Sequence, residues 1–334
     1  MTKPYRLFGA ELSPYSVKVR SYFRYKNLPF EWLRRSPATE AEFRAHAKVP
    51  LIPLVITPEG QGIGDSTPII EHFEARVPLN TLSTGDPVAD FISALIEEYA
   101  DEWMNKAMFH YRWTYEPDRK SGAERIARMM LGDEAPAEQL EGAAKMIRER
   151  MVPRLRFVGS HDGTREQIER SYRRVVDIVE RHLVSRPYLF GARPTLADFG
   201  LWGQLYELWS DPTPGALMKS GSPRTCAYVE RMLNPKAEGP FEKWSSLEPT
   251  LMPLLKDEIA GIFLPWSQAN TAALAKGEET FTVALEGVAF NQQPQKYHAR
   301  SLAALKQKYY LLTNRVHLDA VLERAGCLKW LKEA

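Results

Sequence analysis

The chain has 334 residues, 44% of them hydrophobic and 26% charged, with a formal net charge of +2: the balance of a folded globular protein long enough for two domains. So small a charge excess argues against a nucleic-acid binder; the arginines at 148–156 and 170–174 alternate with glutamates at helical spacing and read as solvated helix faces. No apolar run approaches the ~20 residues of a membrane-spanning helix, the first residues lack a signal-peptide core, and Cys226 and Cys327 are too few and too far apart for a disulfide scaffold. A cytoplasmic protein that engages neither membrane nor nucleic acid is the expectation.

In chain order, Tyr5 to Gly9 reads as a buried strand running into Glu11-Leu12-Ser13-Pro14. Ser at the N-cap and Pro at the first helical position open a helix there. Tyr15, Val19, Tyr22 and Phe23 form its apolar side. A second strand is predicted at Phe30 to Leu33, and a short helix at Thr39 to Ala47 with Thr39 as its cap. Leu54 to Thr57 is a β-branched strand closed by Pro58-Glu59-Gly60, with a partner strand around Ile63. Asp65-Ser66-Thr67-Pro68 opens a third helix. The order is βαβ followed by ββα, with the first strand pair parallel and the hairpin antiparallel.

A Pro- and Gly-containing linker at 77–87 ends this unit, and an apolar stripe through Val88, Ile92, Leu95, Tyr99 and Trp103 begins a helical one. Further helices are predicted at 122–131, 137–152, 165–184, 196–209 and 223–233. The segment from Phe241 to Ala334 is less regular, with a hairpin within 279–290 and helices at 301–312 and 317–331. Three domains are expected: residues 1–80, residues 87–240, and an extension over 241–334 packed on the helical domain.

Three short signals carry chemistry. Ser13 stands at a helix N-terminus, where unpaired N–H groups favour negative charge and a hydroxyl can donate to a thiolate. Pro53 opens a buried strand, the place where a residue without an N–H is tolerated. Asp65 and Ser66 open a helix as a pocket for a carboxylate. Singly, each reads more readily as a cap or a strand entrance. Jointly, each sits at the edge of its own element in one βαβ-ββα unit.

At this point SPYSVKVR, IPLVITPEG and GDSTPIIEHFE resemble the glutathione transferase superfamily, in its Ser-type thiol motif, its cis-Pro strand and its Glu-Ser helix, with Asp65 in the Glu position. Arg193 to Asp198 resembles the helix-capping motif of its second domain, with Thr195 and Asp198 at capping-box spacing. The resemblance implies a thioredoxin-like α/β domain followed by an all-helical domain. Ser13 would activate the glutathione sulfur, the Ile52 backbone beside Pro53 would pair with the cysteinyl unit, and Asp65 and Ser66 would hold the γ-glutamyl end. Glutathione would be the co-substrate, with no metal, and a small hydrophobic electrophile the second substrate, bordered by Met104, Phe109 and Trp113. A homodimer is implied by the family alone. Alternatives are a glutathione-dependent lyase, isomerase or dehalogenase, and a non-catalytic binding module. Two features depart from the family: Leu51 stands where many relatives carry a Lys for the glycyl carboxylate, and the segment after Phe241 has no counterpart in a typical member. Within that segment Tyr297, His298 and Arg300 read as a solvated loop, unless the tail folds over the cleft.

Overall fold

The computed structural model describes residues 3–332. Strand β1 (Tyr5–Phe8) leads to helix α1 (Pro14–Tyr25), β2 (Phe30–Leu33), α2 (Glu40–His46), β3 (Leu54–Ile56), β4 (Gly62–Gly64) and α3 (Ser66–Glu74). The sheet order is β2-β1-β3-β4, with β1 parallel to β2 and antiparallel to β3. This is the thioredoxin-like α/β arrangement. Strand alternation sends Leu7 and Val55 into the core with Val19, Phe23 and Ile69, and sends Phe8, Leu54 and Ile56 to the opposite face with Phe43 of α2. Edge-to-face contacts of Phe23 with Tyr5 (5.7 Å) and Phe73 (4.9 Å) join β1, α1 and α3. Thr39 does not cap α2 through its side chain; its hydroxyl donates instead to the Arg34 carbonyl at 2.7 Å.

The helical part begins with α4 (Pro87–Tyr99), which continues through a π-helical turn at Ala100–Met104 into α5 (Asn105–Thr114). Then follow α6 (Glu116–Leu131), α7 (Ala137–Met151), a 3-10 stretch at Val152–Val158, α8 (Arg165–His182), α9 (Leu196–Ser210), α10 (Pro212–Gly221) and α11 (Pro223–Arg231). The Thr195–Asp198 capping box is formed in both directions. Helix α6 starts earlier than its apolar pattern suggests because Pro117 sits in its first turn, where no N–H is missed.

The segment after Phe241 forms α12 (Trp244–Pro253), π-helical turns at Leu254–Phe263, α13 (Leu264–Lys276), the hairpin β5 (Phe281–Leu285) and β6 (Val288–Gln292), α14 (Lys296–Leu311), α15 (Val316–Ala325) and α16 (Leu328–Lys332). The run from Trp244 to Lys276 is helical throughout, although Pro249 and Pro253 lie inside it. Each Pro removes a backbone donor and crowds the preceding turn, which hides such a helix from pattern reading. The last two helices are separate because Gly326 takes φ +76°.

Side chains of the tail lock onto the bundle at Lys106 of α5. Its buried Nζ lies 3.9 Å from the Trp266 ring centroid and 5.4 Å from that of Trp103, and donates to Gln292 Oε1 at 2.8 Å. Trp103 also packs on Trp266 and Phe290, at 5.5 and 5.4 Å. No helix of the described residues is long and apolar enough to cross a membrane.

Candidate functional site

Ser13 is the N-cap of α1, with extended backbone (φ −116°, ψ 111°). Its Oγ accepts from the Ser16 N–H at 3.3 Å and from the Ser16 hydroxyl at 3.0 Å. The Ser13 proton is therefore the one left to donate outward. The turn before it is fixed from the other domain, because the buried Arg112 guanidinium of α5 donates to the Leu12 carbonyl (3.1 Å) while pairing with Glu207 (2.7 Å) and Asp211 (2.8 Å). Helix α9 approaches closely at Gly203, where a Cβ would lie 2.7 Å from the Pro14 carbonyl oxygen. Tyr15 donates its hydroxyl to the Asp101 carbonyl at 2.9 Å and accepts from Asn105. Burial, then Glu102 and Asp101, hold its pKa well above the usual phenol value, so it is committed to the helical domain as a neutral group.

The Ile52–Pro53 peptide bond is cis. Ile52 is half-buried beside the exposed Leu51. The Pro53 carbonyl accepts the Asp65 N–H at 3.2 Å, which ties this segment to the start of α3. Asp65 is exposed and takes φ +74°, turning the chain sharply into the helix. Ser66 is buried, and its Oγ accepts from Lys18 Nζ at 3.3 Å.

Lys18 carries the electrostatics. From α1 it reaches Ser66, Thr67 (3.2 Å), Glu97 (2.5 Å) and Asp101 (2.6 Å), with almost no exposed surface. Burial works against its charge, but Asp101 and Glu97 outweigh burial and raise its pKa. Burial likewise opposes the charge of Glu97, and Lys18 overrides it, so Glu97 is lowered and the two form an ion pair. Asp101 moves the other way, up to about 8, because its burial and the nearby Glu97 outweigh Lys18. One of its oxygens, Oδ1, has no hydrogen-bond partner in the structure. The buried cation thus bridges the α1 and α3 sides of the site to α4.

The electrophile-side residues divide. Phe109 is half-buried with its ring 6.2 Å from that of Trp113. Met104 and Trp113, at 0% and 1% exposure, are packed among core residues. Met104 faces the main core, and Trp113 packs with Ala123, Ala127 and Ala144 where small residues make room for an indole. Two surface grooves, one at Ser245–Arg324 and one between α6 and α7, include none of Ser13, Ile52, Pro53, Asp65 or Ser66.

The loop expectation for Tyr297, His298 and Arg300 also needs correction. All three lie in α14, which crosses the start of α3 and the π turn of α4. Tyr297 donates its hydroxyl to Asp65, and His298 pairs with Glu102. Lys18 and Arg112 were not picked out by sequence reasoning. The available signal for Lys18 was its position in the apolar stripe of α1, between Tyr15 and Tyr22, where a lysine has to find a buried partner.

Residues 7–81 match the family model for the glutathione S-transferase N-terminal domain, and residues 162–231 match that for the C-terminal domain. The chain belongs to the glutathione transferase superfamily. Among characterised relatives, this transferase is 24% identical over 235 residues to the isoprene-epoxide–glutathione S-transferase of Rhodococcus sp. (strain AD45), covering 66% of this chain and 92% of that one. Similar solved structures include a glutathione S-transferase from Methylobacterium radiotolerans in complex with glutathione sulfonate (19% identity, 72% of this chain and 97% of that chain, TM-score 0.44). Another is the β-etherase LigF from Sphingobium sp. strain SYK-6 (19% identity, 70% and 95% coverage, TM-score 0.49).

Proposed function

We propose that this transferase binds reduced glutathione along Ile52, Pro53, Asp65 and Ser66, and that Ser13 stabilises its thiolate for attack on a small apolar electrophile. The observation that carries the reading is the hydrogen bonding of Ser13, whose oxygen is occupied by Ser16 while its proton is free at the start of α1. A thiol of pKa near 8.5 is mostly protonated at neutral pH. Lowering it by about two units takes roughly 2.7 kcal/mol of preferential stabilisation of the thiolate. One charge-assisted hydrogen bond and the helix N-terminus together supply an amount of that order.

Ser66, with Lys18 behind it, presents a hydroxyl and a buried positive charge to the γ-glutamyl carboxylate, while Asp65 offers its carboxylate to the γ-glutamyl ammonium. Phe109 is the apolar side chain on the electrophile side. The name of the Rhodococcus relative makes a small epoxide the first electrophile to test. In that reaction the thiolate attacks an epoxide carbon, the C–O bond breaks, and the alkoxide takes a proton from water. We infer that it acts in the cytoplasm and as a homodimer.

Calorimetry with glutathione and epoxide turnover followed by product mass test the reading. Glutathione is expected to bind in the micromolar to millimolar range, with Ser66→Ala weakening it by on the order of 1–3 kcal/mol. Folded wild-type protein that binds no glutathione would refute the whole reading. Binding without turnover of any electrophile would leave only a binding module.

A further inference from the structure

One face of α14 is a row of hydrogen-bond donors laid against carboxylates. Tyr297 meets Asp65, His298 meets Glu102, Ser301 meets Glu98, and Lys308 meets Glu71 at 2.7 Å. Positions 297, 301 and 308 follow helical spacing, so they share a side of the helix. Two of the partners, Asp65 and Glu71, belong to the thioredoxin-like domain, and two, Glu98 and Glu102, lie on the α4 helix and its π turn. The tail therefore spans both domains at the one place where Asp65 opens α3. The other end of the same site is different in kind: Leu51, next to Ile52, is 64% exposed.

We propose that Tyr297 is a specificity-determining residue of the thiol site: α14 closes the amine end, so that thiols enlarged on the γ-glutamyl nitrogen are rejected and thiols enlarged at the glycyl end are accepted. The proposal rests on the glutathione-binding reading of Asp65. A γ-glutamyl ammonium bonded to the Asp65 carboxylate shares that carboxylate with the Tyr297 hydroxyl. Both donors then lie one carboxylate apart, and a substituent on the nitrogen has to occupy the space of the phenol ring. The carboxylate has lone pairs for both donors, so unmodified glutathione enters without displacing the tyrosine. No comparable side chain reaches Leu51 from the tail among the contacts described, and the apolar surface there tolerates an added alkyl group. The selectivity is a difference between two ends of one ligand, set by a helix that arrives more than two hundred residues later in the chain.

The test is calorimetric, on full-length protein, with three thiols: glutathione, glutathione carrying an N-benzyl group on the γ-glutamyl nitrogen (which keeps its positive charge), and glutathione ethyl ester at the glycyl carboxylate. Wild type should prefer glutathione over the N-benzyl thiol by about 100-fold, and Tyr297→Ala should reduce that preference below about ten-fold while weakening glutathione itself by no more than a few-fold. Tyr297→Phe keeps the ring and should keep the preference. The ratio of ester to glutathione should be the same in all three proteins. Tyr297 is half-exposed in the first turn of α14, so its variants should unfold at temperatures close to wild type. An N-benzyl preference that does not change in Tyr297→Ala, with glutathione still bound, overturns the proposal and leaves the glutathione reading standing. Wild-type protein that binds none of the three thiols overturns both.

Discussion

At the scale of single residues, the oxygens of the proposed site's polar groups, Ser13, Asp65 and Ser66, each already accept a hydrogen bond within the chain. Leu51 is instead an exposed apolar residue where a cation would serve a glycyl carboxylate. Leu51→Lys should tighten glutathione by on the order of 0.5–1 kcal/mol, the worth of an exposed ion pair, and the gain should disappear at high salt; affinities measured at two ionic strengths check this. His182 makes a separate prediction about stability. Its Nε2–H donates to the Leu189 carbonyl (2.8 Å) and its Nδ1 faces the Thr250 hydroxyl (2.7 Å). Burial, with Arg186 nearby, lowers its pKa to about 4. An unfolded histidine titrates near 6.5, so below that pH the unfolded chain takes up the proton more readily. The contribution is complete above about pH 6.5 and is lost as pH falls toward 4, on the order of 3 kcal/mol in all. Urea midpoints at pH 7 and pH 4 should therefore differ less in His182→Gln than in wild type. Ser13, Pro53 and Ser66 were visible in the sequence because each marks an element boundary. Lys18 was not, since its meaning depends on Glu97 and Asp101, which reach it only through the packing of α1 on α4.

At the scale of elements, the relation between α1 and α9 sets where Ser13 stands. Gly203→Ala would bring a methyl to 2.7 Å from the Pro14 carbonyl oxygen, so one helix has to shift. We expect a loss of about 1–3 kcal/mol of stability from overpacking. Turnover should fall by about ten-fold or more, because the Ser13 N-cap moves with Pro14. Thermal unfolding together with conjugation rate tests it, and a destabilised variant of full activity would contradict the link between this contact and the site. The same scale shows what a sequence exposes. The βαβ-ββα order, the capping box at Thr195 and Asp198 and the turn at Glu286-Gly287 were legible because local rules fix them. Helices α12 and α13 were not, since Pro249 and Pro253 break the local rule and only wide π turns and tertiary packing keep the run helical. Tyr297 and His298 looked like loop residues for a related reason: α14 has no side-chain cap, and its partners are carboxylates elsewhere in the chain.

At the scale of the whole molecule, the tail is part of the fold. Trp266, Phe290 and Gln292 enclose Lys106, whose pKa burial holds well below the usual lysine value. A chain ending at residue 240 would uncover this lysine together with Trp103 and the carboxylates of α4. It should unfold at lower temperature or aggregate, and should not behave as a stable smaller transferase; scattering and thermal melts of the truncated protein check this. Arg112, Lys18 and Tyr297 each tie the proposed Ser13–Ser66 site to a helix outside the thioredoxin-like domain. The proposed function depends most on Ser13 lowering the pKa of a bound thiol. The most direct measurement is the ultraviolet thiolate absorbance of enzyme-bound glutathione as a function of pH, for wild type and for Ser13→Ala. Wild type should titrate about two units below free glutathione, and the variant should return toward the free value. Two superimposable titrations, with glutathione bound in both proteins, would contradict this and leave Ser13 as a helix cap.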